Sequence, residues 1–261
     1  MSSTGRELTV EFLGLPGVGK SAVCGKTARY LSRRGFRVRE PVLAVSDRSA
    51  MGPRLRGYAG KSFLIARELL THPLHSFRSV RAICSTGQPS LSVLVMVVTN
   101  WLMQCSLLRN RKTPPAVNLF EEGIFQALWS IGLEARSGAV RDLGATFSEV
   151  LAMPDVVVVV EADLAAVVDR LQRRDGNESR ADRWSQDDGQ AFAQASSRMT
   201  EVIETLLRGD ERGQRSRVIR VDNRSDADPD VTARQLALQL EEHWLSEAPP
   251  APIRASARTT A

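Results

Sequence analysis

An α/β fold with a parallel five-stranded sheet and helices on both faces is predicted by three observations. Strand-like and helix-like segments alternate along the chain, which implies a parallel sheet with its ligand at the carboxyl ends of the strands. Residues 14–21 read Gly-Leu-Pro-Gly-Val-Gly-Lys-Ser, a complete G-x-x-x-x-G-K-[ST] phosphate-binding loop. The unbroken valine run of Asp155-Val156-Val157-Val158-Val159-Val160 is the pattern of a central strand buried on both faces.

The first strand is read in Leu8 to Leu13, ending in the loop, and the first helix in Ser21 to Arg33, with Val23, Thr27, Tyr30 and Leu31 at helical spacing. Gly35 closes that helix, and Phe36-Arg37-Val38-Arg39 reads as a short second strand stopped at Glu40-Pro41. Ser46 to Gly60, rich in Gly, Ser and Arg, reads as a loop. Two or three helices then fill 61–110, broken near His72-Pro73 and Gly87-Gln88-Pro89, and Pro114-Pro115 ends the block. Val117 to Phe120 is the third strand, followed by Glu121-Glu122-Gly123 and an amphipathic helix carrying Ile124, Phe125, Leu128, Trp129 and Ile131. After the valine strand come helices over 164–173 and 192–207, a fifth strand Val218 to Val221 and a last helix over 231–244. Residues 1–246 form one domain, and the Pro-, Ala- and Thr-rich stretch 247–261 reads as a disordered tail.

The formal charge of +5 comes almost wholly from arginine, since lysine stands only at 20, 26, 61 and 112. No basic tract interleaved with aromatics accompanies it, so no nucleic-acid partner is expected. Three widely spaced cysteines, Cys24, Cys84 and Cys105, point to neither a disulfide framework nor a zinc cluster and read as reduced core residues. His72 and His75, placed in a loop without a matching cysteine or histidine cluster, suggest no metal site. With no apolar leader before the first strand, a cytoplasmic location is the default. The apolar run Ser90 to Leu108 nearly meets the length of a membrane span, but Thr99, Asn100, Gln104 and Ser106 interrupt it; a buried core helix is expected and no transmembrane segment.

The loop carries the chemistry. Successive N–H groups must curl around a polyphosphate, so a side chain at Gly14 or Gly19 would obstruct it; Gly14, Pro16, Gly17, Val18, Gly19, Lys20, Ser21 and Ala22 are the nucleotide-binding candidates. Lys20 would reach the β and γ phosphates, and the Ser21 hydroxyl would ligate Mg²⁺. ATP and Mg²⁺ are therefore the expected cofactors.

The order of strand, GLPGVGKS and helix, with Arg39-Glu40-Pro41 ending the second strand, an acidic pair ending the third, the strand PDVVVVVEAD and the segment RLQRRDGNESRADRW, resembles the thymidylate kinase and deoxynucleoside kinase branch of the P-loop kinases over about residues 7–240. The resemblance implies a nucleotide-kinase-like P-loop NTPase fold and transfer of the ATP γ-phosphoryl to a hydroxyl or phosphate of a small molecule, with nucleosides or nucleotides favoured. It implies a mobile lid over about 174–183, in which Arg174 and Arg180 close on the transferring phosphoryl, together with Arg170, Arg173 and Arg183. It places a catalytic or metal-binding carboxylate at Glu121 or Glu122, with Glu121 the candidate metal partner, and a substrate contact at Glu40. Glu-Arg-Ser or Asp-Arg follows the third strand in those families, whereas Glu121-Glu122-Gly123 stands here. Gln126 is an acceptor-pocket candidate or a polar edge, and Trp129 a core aromatic. Arg48, Arg54 and Arg56 are surface charge or ligands of an acceptor phosphate, with Arg54 taken as substrate-binding. Kinases of this type often dimerise through the helices before the third strand, so a homodimer is an expectation.

The competing reading is a P-loop ATPase or nucleotide switch acting on a protein partner. A regulatory GTPase is disfavoured because Asn223-Arg224-Ser225-Asp226 lacks the lysine of a guanine motif and reads as a turn, and because no D-x-x-G segment follows the third strand. Residues 46–115, where an acceptor pocket is built, match neither family, which leaves a sugar, an antibiotic or a biosynthetic intermediate open as acceptor.

Overall fold

The computed structural model describes residues 7–40, 51–109, 116–135, 143, 153–173, 189–208, 216–224 and 228–246, the side chains of 51–59 and 205–208 excepted. The lid, the tail and the candidates Arg174, Arg180, Arg183 and Arg48 lie outside these residues, as do the side chains of Arg54 and Arg56.

The strands are β1 (Leu8–Leu13), β2 (Val38–Arg39), β3 (Val117–Phe120), β4 (Val156–Glu161) and β5 (Arg217–Asp222). They form one parallel sheet in the order β2-β3-β1-β4-β5. The expected fold class holds. Every residue of β1 and β3 and the first five of β4 are buried, as a sheet covered on both faces requires. The centre is β1 rather than the valine strand, which lies beside it as an interior strand.

The helices are α1 (Lys20–Arg33), α2 (Met51–Thr71), α3 (Pro73–Cys84), α4 (Leu91–Arg109), α5 (Ile124–Gly132), α6 (Leu164–Gln172), α7 (Gly189–Arg208) and α8 (Pro229–Ser246). α1 packs against α8, and α5 packs against α4 and α7. Strand β2 is two residues shorter than the sequence suggests. Phe36 still belongs to the turn after α1, its N–H donating to the Leu31 carbonyl, and its ring meets Trp244 of α8 edge-on at 6.0 Å.

A larger difference lies in the stretch 46–60, which is not a loop throughout: it is helical from Met51. Gly52, Gly57 and Gly60 lower the intrinsic propensity, but Pro53 falls in the first turn, where its missing N–H breaks no helical bond, and α2 gains a packing surface on α4. The breaks at His72-Pro73 and Gly87-Gln88-Pro89 separate α2, α3 and α4 as expected. His75, however, lies within α3 rather than in a loop. Helix α4 is apolar enough to span a membrane by length and composition, with mean hydropathy 1.8, but Val97, Trp101, Leu102, Cys105 and Leu108 are buried inside the protein. Its N-terminal half carries exposed Leu91, Val95 and Met96. Cys24 and Cys105 are buried as expected; Cys84 is not, because it ends α3 on the solvent side.

Candidate active site

In an order of this kind the connection leaving β1 runs one way, over β3 to β2, and the connection leaving β3 runs the other way, over β1 to β4. The crevice between the carboxyl ends of β1 and β3 is therefore the switch point where ligands of open parallel sheets bind. The Gly14–Ser21 loop follows β1 and Glu121 follows β3, so both lie at this crevice.

The loop is shaped by its glycines. Gly17 and Gly19 take φ of 86° and 91°, in the left-handed region that side chains disfavour. A Cβ on Gly14 would lie 2.6 Å from the Val160 carbonyl oxygen, so the loop passes against β4 only because Gly14 has no side chain. Helix α1 begins at Lys20, which aims its first N–H groups at the space inside the loop.

Lys20 is largely buried. Its ammonium donates to the carbonyls of Gly14 at 2.7 Å and Leu15 at 3.2 Å, which holds the charge over the loop. The Ser21 hydroxyl donates to Oε1 of Glu121. Glu40 stands close enough to Glu121 for burial, then the like charge of Glu121, to push its pKa up, with Arg29 opposing. Cys24, on the face of α1 toward these groups, has its thiol pushed well up by burial, Glu40 and Glu121. A hydroxyl and two carboxylates thus converge beside the lysine, an all-oxygen set that fits a hard divalent cation such as Mg²⁺. Glu122 is exposed, while the half-buried Glu121 reaches α1.

Two of the candidate residues, Gln126 and Arg170, hold the loop. The Gln126 side-chain oxygen accepts from the Gly14 N–H at 3.2 Å and the residue is buried, so in this arrangement Gln126 braces the loop. Trp129 is a core aromatic, its indole N–H donating to the Ala195 carbonyl at 3.1 Å. Arg170 spans the far side of the loop, with Nη1 donating to the Val18 carbonyl at 3.0 Å and Nη2 to the Asn223 carbonyl at 2.8 Å.

Two residues of the site escape sequence reasoning. Asn223 reads as part of a turn, yet it is buried just after β5 and its Nδ2 donates to the Val18 carbonyl at 2.6 Å. A side chain at Gly19 would collide with it. Glu11 sits in β1 with its side chain fully buried. Oε1 accepts from the N–H groups of Phe125 at 2.7 Å and Gln126 at 2.9 Å at the start of α5, while Oε2 has no hydrogen-bond partner among the described residues. Burial outweighs these hydrogen bonds and raises its pKa to about 8. The signal was a charged residue inside an otherwise apolar strand, Leu8-Thr9-Val10-Glu11-Phe12-Leu13.

No protein-family model matches this chain, and no curated protein matches it in sequence. Among solved structures, thymidylate kinase from Candida albicans aligns over 94% of this chain and 93% of its own, with 15% identity and a TM-score of 0.45. The sheet order and loop geometry by themselves give the chain a parallel α/β fold with a phosphate-binding loop after β1.

Proposed function

We propose that this protein is an ATP-dependent kinase that moves the γ-phosphoryl group to a hydroxyl or phosphate of a small cytoplasmic molecule, a nucleoside or nucleotide first among the candidates. The observation that carries the reading is the Ser21–Glu121 hydrogen bond beside Lys20, which brings a strand-end carboxylate of β3 to the mouth of a phosphate-binding loop.

In this reading the N–H groups of 14–21 and the start of α1 hold the polyphosphate, and Lys20 exchanges its carbonyl partners for phosphate oxygens. Ser21 and Glu121 would hold Mg²⁺, which supplies neutralisation of charge on the β and γ phosphates. An acceptor oxygen attacks the γ phosphorus in line, its bond to the bridging oxygen breaks and ADP leaves. The acceptor proton passes to a carboxylate of the Glu121–Glu122 pair or to solvent, and Glu40 would contact the acceptor. Arg170 and Asn223 keep the Val18 carbonyl turned outward, so that the loop's N–H groups stay turned in. Arg174 and Arg180 are proposed to close over the phosphoryl group, and Arg54 to meet an acceptor phosphate. The apolar side chains Phe63, Leu70, Leu74 and Phe77 on α2 and α3 offer a homodimer its surface.

The test is ADP formation from ATP and Mg²⁺ with nucleosides, nucleoside monophosphates and sugars, each with Lys20→Ala as control. Stimulation by one acceptor class, lost in the variant, is the expected result. Hydrolysis equal with and without every acceptor would replace the kinase by an ATPase.

A further inference from the structure

Away from the phosphate-binding crevice, three helices bring a glutamate, a histidine and a cysteine together. Glu68 of α2, His75 of α3 and Cys105 of α4 have ligand atoms that all lie within 4.8 Å of one another. Glu68 and Cys105 are buried, and His75 is half-buried at the rim. Both ring nitrogens of His75 are buried without a hydrogen-bond partner. A neutral imidazole always has one nitrogen with a free lone pair, and leaving it and the N–H unmet inside a protein is costly. Something polar is expected to meet that lone pair. Among the described residues neither α2 nor α4 does so: the facing groups are a carboxylate, a weakly donating thiol and the Arg109 guanidinium, which is engaged with Glu68.

We propose that Glu68, His75 and Cys105 form a zinc-type metal site that ties α2, α3 and α4 together. Mixed nitrogen, sulfur and carboxylate oxygen ligation is the preference of this borderline-soft ion, and three protein ligands leave a fourth position for water. Arg109, one turn after Cys105, lies 3.1 Å from Oε1 of Glu68. A carboxylate shared between an arginine and a metal is an ordinary outer-shell arrangement: the guanidinium orients it and offsets its charge while the metal takes a lone pair. Binding converts the Cys105 thiol to thiolate, and the released proton goes to solvent, with no change of oxidation state. The site is independent of the kinase reading, because it shares no residue with the loop.

The full-length chain, stripped with chelator, is titrated with Co²⁺ as a spectroscopic substitute and then with Zn²⁺. One Co²⁺ per chain is expected, with thiolate-to-metal charge-transfer absorption and the intense visible bands of a tetrahedral centre, both abolished on displacement by Zn²⁺. Cys105→Ser should remove the charge-transfer band, His75→Gln should weaken binding by about tenfold or more, and Arg109→Gln should weaken it by about 10-fold as a loss of outer-shell support. Cys24→Ser and Cys84→Ser should leave the spectrum as it is. Zn²⁺ should raise the Tm of the wild type and leave that of Cys105→Ser unchanged. A folded wild-type chain that gives no charge-transfer band with excess Co²⁺ overturns the site, as does a band that survives in folded Cys105→Ser.

Discussion

The carboxyl group of Glu11 fills the space that a side chain at position 123 would occupy. A Cβ on Gly123 would overlap Cγ, Cδ and Oε2 of Glu11, although the glycine's own backbone is extended, with φ −131°. The glycine is thus needed for room, not for conformation. Through it the carboxyl group reaches the first N–H groups of α5, and one turn of that helix then carries Gln126 to the Gly14 N–H. β1, α5 and the phosphate-binding loop are held as one unit.

Gly123→Ala should therefore destabilise the protein by about 1–3 kcal/mol, the usual cost of overpacking a closed interior. In a Glu11→Ala background the same substitution should cost less, because the obstructing carboxyl group is gone. Chemical denaturation of the four proteins in the double-mutant cycle measures the difference. Equal costs in both backgrounds would mean that the two side chains do not meet.

The raised pKa of Glu11 makes stability depend on pH. The folded protein holds this proton up to about pH 8, whereas the unfolded chain gives it up near 4.5. The folded state thus binds more protons between those values, so the contribution is fully present below pH 4.5, falls as pH rises and is gone above about 8. Its size is on the order of 5 kcal/mol at most, since each tenfold difference in proton affinity is worth about 1.4 kcal/mol. Glu11→Gln keeps the acceptor oxygen and removes the titration. Thermal unfolding should show the wild type losing Tm from about pH 5 to 8 more steeply than Glu11→Gln; parallel profiles would refute the assignment.

Asn223→Ala removes the Nδ2 donor to the Val18 carbonyl and leaves Arg170 alone on it. Loss of one buried hydrogen bond, about 1–3 kcal/mol, should appear as roughly tenfold or greater weakening of a non-hydrolysable ATP analogue in calorimetry. The sheet should be unaffected, since the backbone register of β5 on β4 ends at Asp222, before Asn223. Unchanged affinity would show that the loop keeps its shape without the asparagine.

Glu121→Gln should lower phosphoryl transfer by about 10²-fold or more with ATP-analogue affinity largely retained, as expected for loss of a metal partner or proton acceptor. Glu122→Gln should be nearly silent, because Glu122 is exposed to solvent while Glu121 is bound to Ser21. A large loss on the Glu122 side would reverse the assignment within the pair.

Much of this was legible in the sequence, and for a local reason. Strand and helix periodicity, the β-α alternation and the loop's glycines are each determined within a dozen residues, so the parallel sheet, the loop between β1 and α1, and the place of Glu121 at the end of β3 follow from the chain alone. The helix starting at Met51 was hidden because its glycines speak locally for a loop while its packing on α4 speaks for a helix. What only the tertiary structure decided are pairings between residues far apart in the chain: Gln126 turned to Gly14, Asn223 to Val18, Glu11 to the start of α5, and His75 brought beside Glu68 and Cys105. Gln126, Asn223, Glu11 and His75 belong to no spacing pattern. Each is a polar group whose partner is chosen by which elements the sheet order and the helix crossings bring within hydrogen-bond reach in a low-dielectric interior, where an unmet polar group is costly.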